Sequence, residues 1–76
     1  MTPSAVEDIV ALPARIAAQV MGKIARLETG LVGDIKKLQQ HDSAYRLRSG
    51  EYRVLFDVVG DTVKVRRVKH RRDAYK

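Results

Sequence analysis

The sequence predicts an α+β fold: an N-terminal helical hairpin packed on one face of a twisted antiparallel sheet, itself a three-strand meander. Two observations carry this. Apolar residues recur every three to four positions up to residue 30, and every second position from residue 44 onward. The charge divides in the same region: residues 1–33 hold three Lys or Arg against three Asp or Glu, whereas residues 34–76 hold twelve against six and carry the whole net charge of +6. The second half is therefore where an anionic partner would be met, whether nucleic acid, a membrane surface or an acidic protein. A solvated basic face without a partner is the competing reading of the charge alone.

The helical half comes first. In "TPSAVEDIVALP" Thr2 or Ser4 can serve as N-cap, Pro3 falls near the first turn, and Ser4 and Glu7 have capping-box spacing. Val6, Ile9 and Val10 then follow helical spacing until Leu12-Pro13, where proline ends or kinks the segment. From Ala14 the pattern resumes with Ile16, Val20, Ile24 and Leu27, while Arg15, Lys23 and Arg26 lie off the stripe and Gly30 stands where a C-cap glycine would. An αα-hairpin over residues 1–30 results, without a catalytic group and suited to covering a sheet. Residues 31–43, "LVGDIKKLQQHDS", read as a connection with His41 as a solvated loop histidine.

The meander occupies residues 44–70, with turn signals at Ser49-Gly50 and Gly60-Asp61. If both turns are two-residue loops, Arg46 lies opposite Arg53 and Tyr45 opposite Val54 in the first hairpin. In the second, Val58 faces Val63, Phe56 faces Val65 and Leu55 faces Arg66. One face then collects Tyr45, Leu47, Tyr52, Val54, Phe56, Val58, Val63 and Val65 for the helices to cover. The other collects Arg46, Arg48, Arg53 and Arg66, a crowding of like charge that costs stability unless an anion is meant to sit there. Arginine forks suit phosphate. A basic tail, residues 69–76, closes the chain.

Length and composition narrow the classes further. A chain of 76 residues is one domain at most. Without cysteine there is no disulfide and no thiolate metal site, and two histidines make a poor zinc site, so no metal and no cofactor is expected. Charges interrupt every apolar stretch and Glu7-Asp8 fall where a signal peptide would be apolar, which predicts a cytoplasmic protein with no membrane partner.

The stretches "YRLRSGEYRVLFDV", Tyr45 to Val58, and "VKHRRDAY", Val68 to Tyr75, resemble the core signature of the RelE/ParE toxin superfamily. "TPSAVEDIVALP" and "GDIKKLQ" are similar to its first helix and second loop, so the resemblance covers nearly the entire chain. It implies a toxin of a toxin–antitoxin pair. RelE-branch members enter the ribosomal A site and cut mRNA, and ParE-branch members poison DNA gyrase. It also implies the ribosome, mRNA and a cognate acidic antitoxin as partners. Two departures stand out. The family opens with a β-strand before the "TPSA" segment, whereas Met1 directly precedes Thr2 here, so the expected sheet lacks that strand. Lys69 takes the place of a glycine in the tail motif.

Carried over by position, the resemblance assigns catalysis to Arg46, Arg48 and Arg53, to Arg71 or Arg72, and to Tyr75, with Lys36, Lys37, Arg66 and Lys69 extending the RNA-binding surface. RNA cleavage of this kind needs a base for a 2′-OH, cations for the phosphorane, and a proton for the leaving oxygen. Cations beside a phenol favour its phenolate, so Tyr75 is a candidate base or a stacking platform, and His70 a candidate proton donor or a bystander. The reading is an mRNA endonuclease toxin; the alternatives are a gyrase poison and a non-catalytic basic module that binds antitoxin or RNA.

Overall fold

The computed structural model describes residues 1–30, 33–39 and 41–74. Helix α1 spans Pro3–Val10 and α2 spans Ala14–Gly30. Of the two candidate caps Thr2 is the one used: its hydroxyl oxygen accepts from the Ala5 N–H at 3.2 Å, with Pro3 following in the first turn, where a missing N–H is harmless. Thr2 also ties the helix to the sheet. Its N–H donates to the Val65 carbonyl at 3.0 Å and its hydroxyl to the Arg66 carbonyl at 2.8 Å. Val20, Ile24 and Leu27, three to four residues apart, are the buried face of α2.

Strands β1 (Ile35–Lys37), β2 (Tyr45–Ser49), β3 (Tyr52–Val59) and β4 (Thr62–His70) form one antiparallel sheet in the order β1-β2-β3-β4. The sheet thus has four strands instead of the expected three, because the segment read as a connection contains β1. Three residues are too few for a period-two pattern to register. Pairing supplies what the pattern lacks: Ile35 lies opposite Leu47 and packs against the core.

The first hairpin is also shifted. Its loop is Gly50-Glu51, so Ser49 pairs with Tyr52 and Arg48, not Arg46, faces Arg53. Gly50 has φ +58°, and a two-residue hairpin loop wants the left-handed residue in its first position, which moves the loop one residue along. Gly60, at φ +60°, leads the second loop as expected. Because both partners moved by one, every side chain in the first hairpin keeps its predicted face.

That is not so in β4. The second hairpin pairs as predicted as far as Phe56 with Val65, and then a bulge intervenes: Leu55 faces Arg67, Val54 faces Val68, Arg53 faces Lys69 and Tyr52 faces His70. Arg66 is the extra residue, and beyond it the alternation of β4 is reversed. The outer edge at this point is satisfied by α1. Besides Thr2, the Asp8 carboxylate accepts from the Val68 N–H at 2.9 Å and from Arg67 Nε and Nη2 at 2.8 and 3.2 Å. The reversal places Val68 in the helix-covered core with Val20, Ile24, Leu27, Leu47, Val54, Phe56 and Val65. Tyr45 stacks on Phe56 at its margin, 5.5 Å between ring centroids.

Candidate functional site

The sheet face away from the helices carries cations in ranks. Arg48, Arg53 and Lys69 stand abreast on β2, β3 and β4. Beside them run Lys36, Arg46, Leu55 and Arg67 across all four strands. With strands about 4.8 Å apart, the first rank sets the backbones of three cationic residues within roughly 10 Å of one another. Register, not composition, creates this face.

The surroundings divide these cations into held and unheld ones. Arg46 lies 3.6 Å from the Asp34 carboxylate and 3.4 Å from its carbonyl, with its side chain only 17% exposed. Arg53 folds its guanidinium onto the carbonyls of Gly50 and Tyr52, at 3.0 Å each. Arg66, from the bulge, reaches the Asp57 carboxylate at 3.2 Å, and the same carboxylate accepts from the Ala44 N–H at 2.7 Å. Arg67 belongs to Asp8. Burial alone would raise the Asp8 carboxyl, but the hydrogen bonds from Arg67 and Val68, with the charges of Arg67 and Lys69, outweigh it and hold the group below the usual carboxylate range. The hydrogen bond to Asp8 in turn raises Arg67. Arg48, Lys36 and Lys69 form no ion pair among the described residues.

The tail is anchored at the end of this face. Arg71 N–H donates to the Glu51 carbonyl at 2.8 Å, and its guanidinium meets the Glu51 carboxylate at 2.8 Å. His70 points the other way. Its ring lies edge-on to Tyr52 on the helix side, 5.4 Å between centroids, and its Nδ1 accepts from the Arg72 N–H at 3.2 Å and faces Arg72 Nε at 3.4 Å. Lys37, opposite Tyr45, likewise leaves the sheet on the side away from Lys36.

The structure therefore brings Arg46, Arg48, Arg53, Lys36 and Lys69 onto one face, with Arg66 and Arg71 at its borders. It sends His70, Arg72 and Lys37 elsewhere. Tyr75 lies outside the described residues. Three participants had no signal in the sequence. Arg67 joins the face only through the bulge, Asp8 is 59 residues from the arginine it holds, and His41 is half-buried, its Nδ1 accepting from the Ser43 N–H at 3.0 Å, instead of being a solvated loop residue.

A helical hairpin on a four-stranded antiparallel sheet, with cationic side chains ranked on its far side, defines a small α+β protein. The family described as "ParE toxin of type II toxin-antitoxin system, parDE" matches residues 1–75. The chain belongs to this RelE/ParE superfamily of toxins from toxin–antitoxin systems. Toxin RelE3 of Methanocaldococcus jannaschii is 48% identical over 42 residues, a stretch that takes in 55% of this chain and about half, 48%, of that relative. A chain of the crystal structure of the RelB-RelE antitoxin–toxin complex from Methanococcus jannaschii superposes with a TM-score of 0.77 at 32% identity, over 93% of this chain and 88% of that one. Among the described residues no helix is long and apolar enough to cross a membrane.

Proposed function

We propose that the chain is a single RelE-type toxin domain that cleaves mRNA on the ribosome, works in the cytoplasm, and is held inactive by an acidic antitoxin. The observation that carries this is the rank Arg48, Arg53 and Lys69, none of them in an ion pair among the described residues, with Arg46, held by Asp34, beside it. Similarity to a toxin named RelE3, and to a chain of a RelB-RelE complex, supports both the branch and the partner.

In this reading the scissile phosphate lies over Arg48 and Arg53, which are positioned to neutralise the charge that builds as a 2′-oxygen attacks phosphorus. The attacking hydroxyl loses its proton to the phenolate oxygen of Tyr75, the P–O5′ bond breaks as the 5′-oxygen takes a proton from solvent, and a 2′,3′-cyclic phosphate remains. His70, whose ring faces the helix side, takes no part.

The matching family is described by its ParE members, so a gyrase poison is the second reading. One experiment separates them. Inducing the protein should stop translation and leave mRNA cut at in-frame positions on ribosomes. DNA breaks and a DNA-damage response with intact mRNA would replace the first reading by the second.

A further inference from the structure

An apolar side chain stands among the cations of the far face. Leu55 occupies the second rank between Arg46 and Arg67, where strand alternation points it away from the helices, yet it is only 3% exposed and lies outside the helix-side core. It is therefore covered from the cationic side. The stems of Arg46 and Arg67 flank it, and Ser43 and Ala74, at 3% and 2% exposed, line the same cavity. Ser43 comes from the loop before β2, and Ala74 from the tail. The tail gets there by reversing. After the Arg71 N–H has met the Glu51 carbonyl, the Asp73 N–H donates to the His70 carbonyl at 2.8 Å, a turn over residues 70–73 that sends Ala74 back towards Lys69. The Arg72 N–H, bonded to His70 Nδ1, braces the same turn.

We propose that Leu55 is a positioning residue: it seats Ala74 on the far face and so fixes the point from which the chain delivers Tyr75, bonded to Ala74, to a phosphate over Arg48 and Arg53. The proposal rests on the reading of Tyr75 as the base and goes beyond it by naming what holds the tail in place. An apolar seat suits this task better than an ion pair. The Arg71–Glu51 pair has both side chains 62% exposed, so water and salt weaken it and a phosphate competes with Glu51 for the guanidinium. Contact between a leucine and an alanine methyl is indifferent to polyanions and persists while RNA is bound. Alanine also lets the tail backbone approach the sheet closely, where a longer side chain would hold it off.

The test begins with the unaltered protein, in which the Leu55 and Ala74 methyl groups should show a direct nuclear Overhauser contact. Single-turnover cleavage of ribosome-bound mRNA then separates rate from binding. Leu55→Ala should lower the rate at saturation about a hundredfold with the half-saturating concentration unchanged, the loss that an ångström of misplacement causes. Leu55→Met restores the apolar volume and should recover the rate to within about threefold. Trypsin should cut after Arg71 and Arg72 about tenfold faster in Leu55→Ala than in the parent, because a released tail opens more often. Truncating a buried leucine can unsettle the sheet, so Ala74→Gly, in the tail, repeats the test with the sheet untouched and should show the same faster cutting and lower rate. An absent methyl contact, or an unchanged saturating rate in both Leu55→Ala and Ala74→Gly, overturns the assignment. So does a raised half-saturating concentration at an unchanged rate, which would make Leu55 a binding residue. A methyl contact and a protected tail in a parent protein that cuts no mRNA separate the two claims: the seat stands, while the cleavage reading and the positioning role drawn from it fall.

Discussion

At the scale of single residues, Asp8 has the clearest energetic role. Its carboxylate accepts from a backbone N–H and two guanidinium hydrogens while its own side chain is 18% exposed. Asp8→Ala strands the Val68 N–H at the bulge and should cost about 1–3 kcal/mol of unfolding free energy, with the Arg67 share reduced by solvent because that side chain is 43% exposed. The carboxyl is depressed on folding, so its contribution is present above the unfolded-chain value of about 3.9 and is lost as the pH falls through the lower folded value. Thermal melts between neutral and strongly acidic pH should show the variant and parent converging at the acid end. Arg53→Ala and Arg48→Ala are expected to impair cleavage with melting temperatures nearly unchanged, since the two cations oppose each other across strands. A large loss of stability in both would make them structural. Tyr75→Phe keeps a stacking ring but removes the oxygen, so cleavage should fall while ribosome binding persists. A silent Phe with a failing Ala would assign stacking instead.

The elements are governed by where glycine sits. Gly50 leads the first hairpin loop at φ +58°, and a Cβ there would meet nothing within 4 Å. Gly50→Ala should therefore be destabilising by about 1–2 kcal/mol from backbone strain alone. Gly22 lies inside α2, also with open space around it, and Gly22→Ala should stabilise by about 0.5–1 kcal/mol. Opposite signs in urea midpoints for two identical changes check the turn assignment directly. Asp57 does comparable work between elements, tying the Ala44 end of the loop before β2 to the bulge through Arg66.

For the whole molecule the balance of charge decides behaviour. The +6 resides in the second half of the chain, and the bare face concentrates it. Polyanion affinity should therefore fall steeply as salt rises. An acidic antitoxin that binds only the folded state should raise apparent stability by about 2.7 kcal/mol at a hundredfold excess over its Kd. A melting temperature indifferent to both partner and ionic strength would contradict an electrostatic interface.

The sequence by itself determined the two layers, a helix start within Thr2 to Ser4, and the separation of Leu47, Val54 and Phe56 from Arg46, Arg48 and Arg53. Those follow from periodicity, and a turn displaced by one residue left them intact because both strands of the hairpin moved together. Tertiary structure alone decided the rest. The bulge at Arg66 reverses the alternation of β4, which delivers Arg67 and Lys69 to the cationic face and sends His70 to Tyr52. The strand Ile35–Lys37 exists because β2 offers it a partner. The bulge is held by residues far apart in the chain, Thr2 and Asp8 with β4 above all, and a local pattern carries no information about a hydrogen bond whose partners lie some sixty positions apart.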